Sequence, residues 1–172
     1  VSESLTPELP GFDQPLEMLE ACHQKMLEHC DLLERLIQHI NEQGVDMEAS
    51  GAAGRVFRYF NTSAKLHHQD EEQDLFPLLS RQTIKIAELI HGLRQDHQRM
   101  NELWSQLAPG LKRPQELEGN EALQDLAREF IGLYREHIRR ENKEFIPLAS
   151  HSLSTRQLKD AGDAMKRRRR ST

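Results

Sequence analysis

At 172 residues the chain suits one domain with a real core. Aromatics at 5% argue against a β-rich fold, and charged residues at 30% with apolar patterns of period near 3.6 argue for an all-α protein. The net charge of −5 argues against a whole-surface nucleic-acid binder, and no run of apolar residues is long enough to span a membrane.

Residues 1–11 carry two prolines and a glycine and are expected to form an irregular arm. The first helix is expected over 13–41, with Asp13 as a candidate N-cap, Pro15 in the first turn and Gly44 as the stop. Its apolar stripe is Leu16, Leu19, His23, Leu27, Cys30, Leu33 and Ile37. After a loop over 44–51, a second helix is expected over 52–79, with Pro77 as a late kink or stop. Its stripe joins Val56, Phe60, Ala64, Leu75 and Leu78 to two polar residues, His67 and Glu71. His68 and Glu72 have the same spacing and sit at the edge of that stripe. A third helix is expected from about 82 to just before Pro109-Gly110, with Ile86, Ile90, Leu93, His97, Met100 and Trp104 inward. The stretch 109–119 reads as a loop and 120–149 as a fourth helix. After a break at 152–155 comes a short amphipathic helix with Leu158, Ala161 and Met165, and then a basic run at 166–170.

The chain repeats itself. His67-x-x-x-Glu71 returns as His137-x-x-x-Glu141 at an offset of 70, together with Phe60 as Phe130, Leu75 as Phe145 and Pro77 as Pro147. At an offset of 74, Leu19 answers to Leu93, His23 to His97 and Met26 to Met100. Two related helical hairpins give an antiparallel up-down four-helix bundle over 12–150, with 151–172 as an extra helix and basic tail.

Four imidazoles and two carboxylates aimed into an apolar bundle would be costly unless compensated. One explanation is a buried polar network, with each His bonded to its own Glu. The other is metal: His23, His67, Glu71, His97, His137 and Glu141 as ligands. Six N/O ligands are too many for a closed tetrahedral zinc and suit iron, with manganese or zinc as substitutes. Two imidazoles per metal and two shared carboxylates make a dinuclear centre. Around it, His68, Asp74 and Glu144 are candidates for an outer layer; the last two lie one turn beyond the glutamates, as an acidic mouth. Cys30, Met26, Met100 and Trp104 read as core, and His29, His39 and His151 as solvated. The 166–170 run reads as solvated and favoured by the helix dipole, with an anionic partner as the sharper reading.

The fragments Ala-Cys-His23, His67-x-x-x-Glu71-Glu-x-x-Leu-Phe-Pro77, Asp-His97 and His137-x-x-x-Glu141-x-x-x-Phe-x-Pro147 resemble the hemerythrin-like (HHE cation-binding) domains of bacteria, over about residues 12–150. The resemblance implies a non-haem di-iron centre. His23, His67, His97 and His137 would be terminal ligands, and Glu71 and Glu141 would bridge the irons together with an oxide or hydroxide. It implies a small diatomic ligand, O₂ or nitric oxide, or a part in iron handling. The oxygen carriers of the family have a further His where this chain has Asn101, four residues after His97, so Asn101 is an outer-layer candidate and simple oxygen carriage is not the expectation. Three functions stand: a protein that binds or senses a diatomic ligand, rather than a defined catalyst; a di-iron enzyme or iron-handling protein acting on nitric oxide, peroxide or iron–sulfur repair; and a metal-free helical interaction module. Two cysteines without a CxxC and an N-terminus without a signal-peptide profile suggest the cytoplasm.

Overall fold

The computed structural model describes residues 10–171, so most of the arm expected over 1–11 lies outside the described residues. The described residues are helical with no strand. α1 (Pro15–Gln43) opens on Pro15, whose missing N–H costs nothing at a first helical position. Gln14, not Asp13, precedes it, without a side-chain cap. Gly44, at φ 77, ends α1 with its N–H on the Ile40 carbonyl.

The next helix begins earlier than expected. Asp46 accepts from the Ala49 N–H at 2.8 Å, so α2 (Met47–Asn61) starts after a three-residue turn. The rod is interrupted at Thr62, whose hydroxyl donates to the Arg58 carbonyl at 2.6 Å, and resumes as α3 (Ser63–Asp70). A π turn, Glu71–Leu75, leads into α4 (Phe76–Leu79). Thr83 caps α5 (Ile84–Lys112), which runs through Pro109-Gly110 instead of stopping there. Leu107 and Leu111 are both buried, and that burial holds the segment helical across the proline. The loop expected over 109–119 therefore shortens to a 3₁₀ turn, Pro114–Glu116, and its flanks. Asn120 caps α6 (Glu121–Arg140), a second π turn spans Glu141–Phe145, and α7 (Ile146–Ser152) completes the fourth rod. Ser154 and Gln157 form a capping box that starts α8 (Thr155–Arg170).

α1 packs on α2 and α6, and α5 on α2 and α6, so the four rods form a ring with short antiparallel connections. The interior has two apolar clusters. One gathers Met26, Leu33, Phe60, Trp104 and Phe130; the other gathers Leu19, Phe76, Leu79, Leu93 and Phe145. The six polar residues of the two repeats lie between them along every rod: His23 between Leu19 and Met26, His97 between Leu93 and Met100.

Both π turns precede a proline. Pro77 and Pro147 have no N–H, and a proline ring crowds the carbonyl four residues back. The turn widens in both places: Phe76 bonds to Glu71, and Ile146 to Glu141, five residues back. The extra residue rotates the remainder of each rod. Phe76 and Leu79, with Ile146 and Ala149, are buried, while Leu78 and Leu148 are only half-buried.

α8 folds back across α1, α3 and the first π turn. The basic run is the end of this helix, and two of its arginines are half-buried in ion pairs rather than free in solvent. Arg168 reaches Asp74 at 2.7 Å and Arg169 reaches Asp70 at 2.6 Å; Arg168 also pairs with Asp70. At the other end of the contact Gly162 meets the Phe12 carbonyl so closely that a Cβ there would lie 1.9 Å from its oxygen.

Candidate metal centre

The ligand candidates come from six places. α1 supplies His23, α3 His67, α5 His97 and α6 His137, while Glu71 and Glu141 each open a π turn. All six are buried, the two glutamates completely. They form two overlapping groups. His23, His67, Glu71 and Glu141 make one, and Glu71, His97, His137 and Glu141 the other; within each, donor atoms lie within 4.8 Å of one another. The Nε2 atoms of His23 and His67 are 3.1 Å apart, and those of His97 and His137 are 3.2 Å apart. His23 Nε2 is 2.7 Å from Glu141 Oε2, and His67 Nε2 is 2.6 Å from Glu71 Oε1. His137 Nε2 also contacts Glu141.

The outer nitrogens decide what the inner ones can do. His97 Nδ1 lies 2.8 Å from Glu72, His137 Nδ1 2.9 Å from Asp96, and His23 Nδ1 2.6 Å from the Asn142 side-chain oxygen. A carboxylate or amide oxygen only accepts, so each Nδ1 carries the hydrogen and each Nε2 offers a lone pair inward. In the His97–His137 pair both Nε2 atoms are then acceptors when the rings are neutral, and a cation between them, proton or metal, removes their repulsion. All four oxygens of Glu71 and Glu141 are buried without a hydrogen-bond partner. Carboxylate oxygens without hydrogen-bond partners and imidazole nitrogens converging on them fit a metal site, and each group offers two imidazoles and two carboxylates.

The electrostatics agree. Burial, and then the neighbouring Glu141, push Glu71 well above the usual carboxylate range. Burial acts on Glu141 in the same direction, but the charge of the His137 imidazole beside it, with its neighbours Glu71 and His23, holds it well below. Burial opposes charge on His137, yet Glu141 and the Asp96 hydrogen bond raise it to about 9.

The outer-layer expectations divide. His68 is buried against the site, stacked on His97 with ring centroids 4.1 Å apart, and its Nε2 has no partner. Asp74 is not an acidic mouth, because Arg168 neutralises it. Glu144 is exposed. Both lost their inward phase to the π turns. Asn101 is exposed too, in the wall of a groove of about 810 Å³ between α3 and α5 that also touches His68, Glu72, Arg94 and His97. Its amide therefore stands outside the cluster. Cys30, Met26, Met100 and Trp104 are core, as expected. His29 and His39 are engaged rather than free: His29 stacks on Tyr59 at 3.9 Å, and His39 pairs with Asp46 at 2.9 Å.

Sequence reasoning missed Glu72 as a partner of His97, along with Asp96 and Asn142. The signal was adjacency: Glu72 and Asn142 each come directly after a candidate-ligand glutamate, and Asp96 precedes His97. An edge position in a stripe did not show that the side chain reaches a neighbouring helix.

A buried His/Glu cluster of this kind inside a four-helix bundle defines a cation-binding helical domain. The sequence profile of the hemerythrin HHE cation-binding domain matches residues 14–149, and the chain belongs to that family. It is also similar to an uncharacterized protein of Haemophilus influenzae, at 30% identity over 158 residues, 92% of this chain and 91% of that one.

Proposed function

We propose that the chain is a di-iron protein that binds or senses a small diatomic ligand, O₂ or nitric oxide. The observation that carries this is the sharing of Glu71 and Glu141 between two groups that each add two histidines. Mixed imidazole and carboxylate donors suit iron, and manganese or zinc could occupy the same positions. Iron held there supplies open coordination positions and a change of valence.

The chain's own residues do the rest. Glu72, Asp96 and Asn142 fix the imidazole tautomers. The apolar clusters on either side exclude water, and the groove beside His97 and His68 offers a small ligand a way in. Residues 12–150 form the metal-holding bundle in this reading, and α8 is the helix that straps it. Two free cysteines suit the reducing cytoplasm, and no helix among the described residues is long and apolar enough to cross a membrane.

A second reading has one observation in its favour. Each group has four protein residues, fewer than the about six donors iron prefers, and Asn101 does not add one. Such openness suits turnover of nitric oxide or peroxide, or iron release. Metal analysis and optical spectra of anaerobically purified protein, before and after O₂ and nitric oxide, separate the two. Reversible spectral change supports binding or sensing. Catalytic consumption or loss of iron supports the second reading, and absence of stoichiometric metal contradicts both.

A further inference from the structure

The repeat is symmetric in its ligands but not in what stands behind them. At the offset of 70, Glu72 corresponds to Asn142; at the offset of 74, Asp96 corresponds to Cys22. The consequence appears at the four outer nitrogens. Both imidazoles of one group are backed by carboxylates, His97 by Glu72 at 2.8 Å and His137 by Asp96 at 2.9 Å. In the other group His23 has only the amide of Asn142, an exposed residue, and His67 Nδ1 is buried with no partner.

We propose that the two metal positions are unequal, the one held by His97 and His137 binding its metal more tightly and releasing it more slowly than the one held by His23 and His67. This inference rests on the dinuclear reading above. A carboxylate that accepts the Nδ1 hydrogen makes the imidazole a more basic ligand and holds its ring in place. It also adds negative charge near the cation. An amide does the first weakly and the second not at all, and competition from water weakens it further at an exposed position. His67 has neither aid at its outer nitrogen. The carboxylates on the strong side are themselves held: Arg94 donates to Glu72 at 3.1 Å and Arg140 to Asp96 at 3.4 Å. On the weak side the nearby acid is Asp70, and Arg168 and Arg169 of α8 already engage it. Glu71 and Glu141 belong to both groups and do not discriminate.

The test is a release experiment on the full chain. Protein is loaded anaerobically with ferrous iron, its iron content is measured, and excess colorimetric ferrous chelator is added. Two phases of equal amplitude are expected, with rates at least about 10-fold apart. Glu72→Gln and Asp96→Asn each keep side-chain size and should accelerate the slow phase by about 10- to 100-fold, leaving the fast phase alone. Either variant reports on the same position, so the test survives if one does not fold. Asn142→Asp should slow the fast phase and bring the two rates together. A single phase in the native chain, or acceleration of only the fast phase by Glu72→Gln and Asp96→Asn, overturns the inequality while leaving the dinuclear reading intact. Failure to load two irons before the chelator is added overturns that reading and the inequality with it.

Discussion

Asp70 and Glu71 are consecutive, both buried, and turned to opposite partners: Asp70 to Arg168 and Arg169 of α8, Glu71 to the imidazole cluster. One widened turn therefore joins the strap to the metal centre. Burial pushes the Asp70 carboxyl up despite its two arginines, so its desolvation outweighs what they return.

Removing those arginines should be expensive. Asp70 has 1% of its side chain exposed, and in Arg168→Ala/Arg169→Ala it would be left without these partners; a loss of about 3–5 kcal/mol is expected in denaturant titration. Arg135→Ala is the comparison. Its partners Asp31 and Glu34 are exposed, and the loss there should stay within about 1 kcal/mol.

Gly162→Ala tests the other end of α8. The new methyl would overlap the Phe12 carbonyl, and the Phe12 ring lies under the Arg169 guanidinium at 5.1 Å. Overpacking at such a contact costs about 1–3 kcal/mol. Thermal unfolding should show the loss, and limited proteolysis should cut the α7–α8 junction faster than in the native chain.

Metal should stabilise the fold. Four orphaned carboxylate oxygens and the facing imidazoles are unfavourable without it. At free metal 100 times Kd the gain is about 2.7 kcal/mol, read as a raised Tm that a chelator reverses.

Asp74→Ala and Glu144→Ala should leave metal content unchanged, since Arg168 takes the first and solvent the second. Elemental analysis of both variants checks this. Loss of metal in either would contradict the rotation imposed by the π turns.

The six ligand candidates were legible because two independent regularities coincide on them, the 3.6-residue stripe and the repeat. His67 or His137 alone would have been ambiguous. What failed was phase beyond Glu71 and Glu141. A stripe counted at about 100° per residue carries Asp74 and Glu144 inward, and only the widened turn before each proline rotates them out. Pro109 misled in the opposite way, because burial of Leu107 and Leu111 keeps α5 helical through it. Nothing local showed that Arg168 and Arg169 would find Asp70, nearly 100 positions away along the chain. Long-range charge pairing has no period to read.

The most direct measurement is iron per chain after anaerobic reconstitution, in the native protein and in Glu71→Ala and Glu141→Ala. Both glutamates belong to both groups, so each substitution should disturb two positions at once. A dinuclear centre bridged by them requires two irons per native chain and fewer than one in either variant. A native chain that holds no stoichiometric iron, or variants that keep both irons, would contradict it.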